Sequence, residues 1–167
     1  YLIPKNKNYY TKNRTIEILH IGRFFPEKCH SLIIETCKKL RENNYNFHMK
    51  FIGYGPLEKQ IKGLIKKYHL EKWITVVGYV DHDDIPLYLG KADLYIQPSI
   101  TEGMPISVLE AMSMKLPVIL TNVGGMPELI KNKGGIIIEK NNLDQLFKTI
   151  ILYINNSKKG VLWIFNE

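Results

Sequence analysis

Cysteine is scarce in this sequence, and long hydrophobic runs are missing from it. Only Cys29 and Cys37 occur among the 167 residues, too few for the disulfide framework of a small secreted protein. We expect both on one helix, as reduced and partly buried thiols. No apolar run approaches the ~18 residues of a membrane-spanning helix, and the start YLIPKNKNYY lacks the zones of a signal peptide. These absences predict a cytoplasmic protein.

Several common catalytic and metal-binding motifs are also absent. No Gly-Lys-Ser or Gly-Lys-Thr follows a glycine at the spacing of a phosphate-binding P-loop, and no serine stands in a Gly-x-Ser-x-Gly elbow. The five histidines form no close pair at metal-ligand spacing, and only two cysteines accompany them. The sequence therefore predicts no metal site and gives no support to P-loop or serine hydrolase chemistry.

Acidic residues are outnumbered by basic ones. Lys and Arg total 23 against 16 Asp and Glu, a formal net charge of +7. An excess of positive charge favours anionic partners, such as phosphate groups, nucleic acid or an acidic membrane face. The chain is also dense in Lys, Asn and Ile throughout, so a coding bias explains the charge equally well. Charge alone selects none of these partners.

The chain length fits one domain, because domains usually contain about 100–200 residues. We expect a polar linker or arm over residues 1–14, one folded domain over residues 15–157 and a truncated tail over residues 158–167. Since the chain begins with Tyr1 and not with methionine, we expect it to be one domain of a longer active protein.

Short apolar runs alternate with helical patterns along the chain. Strands are predicted over residues 16–21, 47–52, 73–77, 93–97, 117–120 and 135–138. Helices are predicted over residues 26–44, 57–68 and 105–114, with a short helical turn after residue 127. A further short helix is predicted to begin at Asp83 or Asp84 as its N-cap, and a last helix to run from Asn142 as its N-cap to about residue 155. Nearly continuous apolar strands are typical of a parallel sheet that helices cover on both faces. We therefore predict a single α/β, Rossmann-like domain with about six parallel strands.

Ligands of such sheets bind at the carboxyl edge, near the point where the strand order reverses. After the first predicted strand, Gly22 leaves room for a ligand, and Arg23 and Lys28 place two cations before a helix N-terminus. This loop is either a diphosphate clamp or a solvated basic loop. After the second strand, residues 53–56 (Gly-Tyr-Gly-Pro) match a dinucleotide fingerprint only weakly, and a tight turn is the better interpretation.

The loop after the fourth strand carries two glutamates eight positions apart, Glu102 and Glu110. Between them, the backbone N–H groups of Gly103, Met104 and Ile106 are the free donors of a helix start. A polyhydroxylated or anionic ligand resting there meets backbone donors and carboxylate acceptors together. The alternative is a pair of exposed surface charges, although apolar neighbours argue against full exposure of Glu110.

Taken together, these segments resemble the C-terminal, donor-binding half of family-4 glycosyltransferases with the GT-B fold. The matching segments are residues 22–23, 26–28, 51–56, 77–80, 92–99, 101–105, 109–112, 117–119 and 124–128. The resemblance covers about residues 15–155 in the right order, and its most specific motif is the pair of glutamates separated by seven residues. One departure is Cys29, which stands where the family commonly has glycine.

The resemblance implies a role for each matched residue. Arg23, Lys28 and Glu102 are implied as catalytic: the two cations bind the donor diphosphate, and Glu102 holds hydroxyls of the donor sugar. The implied donor-binding residues are Gly22, Tyr79, Val80, Gly103, Met104, Pro105, Ile106 and Glu110, with the ribose on Glu110 and the base near Tyr79 and Val80. The family retains anomeric configuration and generally needs no metal or other cofactor.

The sequence thus predicts the donor-binding domain of a retaining hexosyltransferase. The donor is expected to be a nucleotide-diphosphate sugar. The acceptor is expected to be a saccharide or a lipid-linked molecule that a missing N-terminal domain binds. The expected process is cell-surface polysaccharide synthesis. We expect a cytoplasmic protein, peripheral at the inner membrane face, inactive as an isolated domain. The alternatives are another GT-B protein (an epimerase or a glycogen-type synthase) and a non-catalytic nucleotide-binding module. Nucleic-acid binding is disfavoured because the loops indicate a small ligand.

Overall fold

The computed structural model describes residues 14–131 and 134–158, and these form one parallel sheet with helices on both faces. The strands are β1 (Ile16–Ile21), β2 (Phe47–Ile52), β3 (Ile74–Gly78), β4 (Leu94–Gln97), β5 (Val118–Thr121) and β6 (Gly135–Ile138). The helices are α1 (His30–Glu42), α2 (Glu58–Lys67), α3 (Ile85–Lys91), α4 (Ile106–Ser113), α5 (Met126–Leu129) and α6 (Leu143–Lys158). The predicted α/β, six-stranded parallel architecture is confirmed. The predicted arm (1–14) and tail (158–167) fall almost wholly outside the described residues, so those boundaries stay predictions.

The sheet order is β3-β2-β1-β4-β5-β6, and every neighbouring pair is parallel. The chain first moves outward from β1 to β3 and then returns to the other side of β1 with β4. Ile18 and Leu19 of β1 lie opposite Leu94 and Tyr95 of β4. The strand order therefore reverses between β1 and β4, and the loops that follow these two strands lie side by side at the carboxyl edge.

Two apolar clusters cover the two faces of the sheet. On one face, Ile18 of β1 packs in a cluster with Ile33 of α1 and Ile150 of α6. On the other face, Leu19 packs with residues of α3 and α4, among them Leu89 and Val108. Successive strand residues point to opposite faces, so a strand that is covered on both sides reads as a continuous apolar run. This burial is the physical reason for the nearly continuous apolar strands in the sequence.

The largest difference from the predicted elements lies at the start of the first helix. The sequence pattern predicts one helix over residues 26–44, whereas the structure has a 3₁₀ turn at Pro26–Lys28 and then α1. Between them, Cys29 adopts a left-handed conformation (φ 55°, ψ 39°). Apolar periodicity does not report such a break, because it reflects side-chain polarity and carries no information on the backbone conformation of a single residue.

The two predicted helix caps have different outcomes. The N–H of Gln145 donates to the Asn142 side chain at 2.9 Å, which confirms Asn142 as the N-cap of α6. Asp84 stands at the N-cap position of α3, but its side chain makes no capping hydrogen bond. A 3₁₀ turn at His82–Asp84 leads directly into α3 instead.

Two buried histidines lie beneath the loop that follows β1. The His20 Nδ1–H donates to the Ile96 carbonyl at 2.9 Å, so its Nε2 is a lone-pair acceptor, and this atom has no partner among the described residues. The ring of His30 lies edge-on to the rings of His20 (4.8 Å), Phe24 (4.9 Å) and Phe51 (5.2 Å). Burial lowers the pKa of His20 to about 4 and that of His30 to about 2. Both imidazoles are therefore neutral in the folded chain at neutral pH.

These two histidines should make stability depend on pH. Their pKa values are lower in the folded chain than the ~6.5 of an unfolded chain, so the unfolded state takes up protons first as the pH falls. The free energy of unfolding should then decrease below about pH 6.5, by up to about 1.4 kcal/mol per pH unit for each histidine, down to the folded pKa. Urea unfolding at about pH 7, 6 and 5 measures this slope.

His30→Phe should make the slope shallower, because it removes one of the two contributions while filling an aromatic site. The exposed His69 provides a matched control: His69→Asn should leave the slope unchanged. An unchanged slope in His30→Phe would contradict the contribution of His30 to the pH dependence of stability.

Candidate functional site

A largely buried ion pair joins the loops after β1 and β4. The ammonium group of Lys28 donates to Oε1 of Glu102, and the two side chains are only 14% and 9% exposed. The backbone also ties the loops together, since the N–H of Ile100 donates to the Glu27 carbonyl at 2.9 Å. Two of the predicted catalytic residues, far apart in the sequence, are therefore in direct contact.

Glu102 remains ionised although it is largely buried. Burial by itself raises the pKa of its carboxyl group, but hydrogen bonds from Lys28, Gln97 and Ser99 outweigh burial and hold the pKa below its ordinary value. Gln97 Nε2 and Ser99 Oγ lie 2.7 and 2.8 Å from the same oxygen, Oε1. No described residue donates to Oε2, so this oxygen keeps its capacity to accept hydrogen bonds.

Sequence reasoning missed the polar residues that support Glu102. Gln97 and Ser99 are completely buried, as is Tyr95, whose hydroxyl lies 3.0 Å from Gln97 Oε1 and 2.8 Å from Ser107 Oγ. The available signal was a glutamine at the end of an otherwise apolar strand. A buried amide must find hydrogen-bond partners, and the partners lie at the carboxyl edge of the sheet.

Glu110, the second glutamate, lies on α4 with its side chain 19% exposed. Its carboxylate is 3.5 Å from Nδ1 of His82, an exposed residue of the turn before α3 that the sequence did not single out. No hydrogen bond or ion pair joins Glu110 to Glu102 among the described residues. The alternative of two fully exposed surface glutamates is therefore wrong for both positions.

The remaining predicted residues of the first loop have separate environments. The N–H of Gly22 donates to the Ile52 carbonyl at 2.9 Å, which ties the loop to β2. Arg23 is exposed, its guanidinium lies 4.9 Å from the centre of the Phe25 ring, and no described carboxylate pairs with it. Lys28 is thus a largely buried cation that Glu102 neutralises, whereas Arg23 is an exposed cation available to an anion.

The start of α4 presents free backbone donors. The N–H groups of Gly103, Met104 and Ile106 donate to no backbone carbonyl within the described ranges. Pro105 is the N-cap residue, and the residues Met104 and Ile106 are 63% and 69% exposed. An exposed helix start with unpaired N–H groups attracts anions and hydroxyl oxygens.

Tyr79 and Val80 follow β3 at the same edge. Tyr79 is 66% exposed, its hydroxyl donates to Asp81 at 3.0 Å, and its ring lies 5.7 Å from that of Tyr54. Val80 is half-buried and packs against the cluster that includes α3 and α4. Because Asp81 immediately precedes His82, the Tyr79 segment borders the carboxylate of Glu110.

Glycine at position 53 reflects close packing between two loops. A Cβ on Gly53, whose φ is 141°, would lie 2.0 Å from the Gly22 carbonyl oxygen. The next loop residue, Tyr54, accepts a hydrogen bond at 2.8 Å from the N–H of Phe24. The Gly-Tyr-Gly-Pro segment is therefore a tight connection packed on the first loop, which agrees with the turn interpretation and gives the dinucleotide fingerprint no support.

Gly124, in the turn after β5, packs closely against the backbone of the Glu102 loop. Its φ is 53°, and a Cβ at this position would lie 1.9 Å from the Glu102 carbonyl oxygen. The N–H of Gly125 donates to the Gly103 carbonyl at 3.3 Å. The turn after β5 thus supports the backbone on which Glu102 and the start of α4 depend.

Within residues 14–131 and 134–158, no three histidine, cysteine, aspartate or glutamate side chains gather closely enough to hold a metal ion. In the same ranges, no helix combines the length and apolar character needed to cross a bilayer.

The family model of glycosyl transferases group 1 matches residues 4–165. The chain belongs to this family. The resemblance to glycosyltransferases drawn from the sequence is therefore confirmed, and so is the fold expected from it.

Two curated relatives illustrate the similarity. The amylovoran biosynthesis glycosyltransferase AmsK of Erwinia amylovora is 31% identical over 156 residues, which are 90% of this chain. A UDP-Gal:alpha-D-GlcNAc-diphosphoundecaprenol alpha-1,3-galactosyltransferase of Escherichia coli is 32% identical over 151 residues, or 88% of the chain. The chain spans only 38% of the length of each relative.

A solved structure matches the domain as a unit. The crystal structure of the C-terminal domain of a glycosyl transferase group 1 family protein, LpcC of Francisella tularensis, has a TM-score of 0.77 and 25% sequence identity. The match covers 92% of this chain and 88% of that one. The described fold is therefore that of a C-terminal glycosyltransferase domain.

The contact between Gly124 and the Glu102 loop gives a test of how the site is built. Gly124→Ala should lower the free energy of unfolding by about 2 kcal/mol or more, because alanine at a left-handed position would also collide with the Glu102 carbonyl. Gly63 is the matched control, since a Cβ there meets nothing within 4 Å. Gly63→Ala, in the interior of α2, should raise stability by about 0.5–1 kcal/mol. Equal effects of the two substitutions in urea unfolding would contradict the proposed support.

Proposed function

We propose that this chain is the donor-binding domain of a retaining glycosyltransferase. The complete enzyme would transfer a hexose from a nucleotide-diphosphate sugar to a saccharide or lipid-linked acceptor during cell-surface polysaccharide synthesis. The Lys28–Glu102 contact at the reversal point of the sheet is the observation that carries the proposal. It places a cation suited to phosphate beside a carboxylate suited to sugar hydroxyls.

The two cations of the first loop have complementary roles in this proposal. The ammonium group of Lys28 has three donors, so it can contact a phosphate oxygen while it still donates to Glu102. Arg23, exposed and without a carboxylate partner in the described structure, supplies a planar guanidinium for the same diphosphate. Both charges would stabilise the negative charge that develops on the departing nucleotide.

The two glutamates would bind different parts of the donor. Glu102, with Oε2 unpaired among the described residues, would accept hydrogen bonds from sugar hydroxyls. Glu110 would accept hydrogen bonds from the ribose, with the backbone of Tyr79 and Val80 facing the base. Gly22 would allow the diphosphate to approach the backbone. The start of α4 would fix sugar and phosphate through its free N–H groups. This segment consists of Gly103, Met104, Pro105 and Ile106.

The acceptor would bind outside this chain, in the N-terminal domain that the relatives' greater length suggests. A lipid-linked acceptor is favoured by the relative whose name specifies a diphosphoundecaprenol substrate, and polysaccharide synthesis by the relative named for amylovoran. The proposed location is the cytoplasm, with peripheral attachment to the inner membrane face. The site is proposed to need no metal and no cofactor, because Lys28, Arg23 and the α4 N-terminus supply the positive charge.

A second candidate is another GT-B activity, such as a nucleotide-sugar epimerase or a glycogen-type synthase, or a non-catalytic nucleotide-binding module. An epimerase should consume the donor without an acceptor, and we expect it to lack the paired glutamates. The positions of Glu102 and Glu110 therefore favour sugar transfer.

Metal-free calorimetric titration of this chain with UDP, GDP and dTDP tests the donor site. We expect one of the three nucleotides to bind, and Glu110→Ala to weaken its binding about tenfold by removing an acceptor for the ribose hydroxyls. Glu71→Ala, at an exposed glutamate before β3, is the matched control and should bind like the wild type. Equal affinity of wild type and Glu110→Ala would contradict the ribose role, and binding of none of the three would contradict the donor site.

The full-length enzyme provides the catalytic test. Arg23→Ala and Lys28→Ala should each slow sugar transfer by on the order of 100-fold, because preorganised charge at a departing anion is a large catalytic term. Lys72→Ala, at an exposed lysine beyond α2, should leave the rate unchanged. Wild-type rates in both loop variants would remove the cations from the mechanism.

A further inference from the structure

Gln97 lies at a position where it can control the orientation of Glu102. It is the last residue of β4 and is completely buried. Its amide nitrogen is 2.7 Å from Glu102 Oε1 and 3.1 Å from Ser99 Oγ. Its amide oxygen is 3.0 Å from the hydroxyl of Tyr95. Every polar atom of the Gln97 side chain is therefore used.

The chemistry of the neighbours fixes which way the amide points. An ionised carboxylate only accepts hydrogen bonds, so the NH₂ group of Gln97 must face Glu102. The Tyr95 hydroxyl can donate to the opposite end of the amide, which holds that orientation. Tyr95 is itself held in place, because its ring is fully buried and its hydroxyl oxygen can accept a hydrogen bond from Ser107 Oγ, 2.8 Å away, while its one proton goes to Gln97.

All the donors found around Glu102 converge on one oxygen. Lys28, Gln97 and Ser99 contact Oε1, whereas Oε2 receives no hydrogen bond within the described part of the chain. Lys28 is a flexible, charged donor whose interactions a bound diphosphate would share. Gln97 is neutral, lies on a strand and is shielded from solvent, so a phosphate would not compete for it.

We infer that Gln97, oriented by Tyr95, is a positioning residue that keeps Glu102 Oε1 turned toward the protein and Oε2 turned toward the donor sugar. This inference rests on the proposed function. Gln97 acts through Glu102 and does not touch the reacting atoms. Its effect should therefore be confined to the sugar part of the donor and leave the nucleotide part unchanged.

Gln97→Leu in this chain, titrated with UDP and with UDP-galactose, tests the inference. UDP should bind as tightly as to the wild type, whereas affinity for UDP-galactose should fall about tenfold, the usual effect of losing a hydrogen bond to a buried charged group. Glu102→Ala should produce a similar loss, and the double variant should lose no more than Glu102→Ala alone. Gln60→Leu, at an exposed glutamine of α2, is the matched control. Additive losses in the double variant would overturn the inference.

A measurement without ligand separates this inference from the proposed function. Carbon-13 NMR of glutamate-labelled protein reports the pKa of Glu102, which should rise in Gln97→Leu because a donor to the carboxylate is lost. The variant retains the other titratable groups that interact with Glu102, which are Lys28, His20 and Tyr95. Tyr95→Phe, which removes only one hydroxyl, should shift the pKa in the same direction and serves if Gln97→Leu fails to fold. An unchanged pKa would refute the role of Gln97 even if donor binding is established, and absence of nucleotide binding would refute only the donor site.

Discussion

The site depends on the parallel pairing of β1 with β4 at the centre of the sheet. This pairing brings together loops that are more than seventy residues apart and allows Lys28 to contact Glu102. A buried charge without a partner costs several kcal/mol, so each of the two residues needs the other. Gln97, Ser99 and the turn at Gly124 then complete the surroundings of Glu102. The strand order therefore determines both where a ligand can bind and why these polar side chains can be buried.

Hydrophobic patterning was sufficient to predict the architecture. The predicted bounds of β1, β2 and β6 agree with the structure, β4 begins one residue later than predicted, and β3 and β5 are both shifted by one residue toward the C-terminus. Buried strands leave a local signature of consecutive apolar residues, and α1 and α2 leave one of helical spacing. The break at Cys29 could not be found in this way, because backbone handedness is independent of side-chain polarity.

Individual residues of the candidate site were easier to predict than their contacts. Lys28 and Glu102 were each singled out, but their ion pair depends on the strand order, which no local pattern specifies. Gln97 was missed because a polar residue at the end of an apolar strand is common, so its presence does not by itself indicate a functional role. His82 was missed because an exposed histidine carries no signal until the fold places it beside Glu110. Long-range placement therefore decided which side chains act together.

The left-handed backbone of Cys29 has an evolutionary consequence. Cysteine and glycine codons differ by a single nucleotide, so glycine is one mutational step away. Glycine would avoid the cost of a left-handed residue with a Cβ, about 1–2 kcal/mol. It would also remove a side chain that is only 8% exposed, losing about 1 kcal/mol of apolar burial. These opposing contributions nearly cancel, so selection on stability alone does not decide between the two residues.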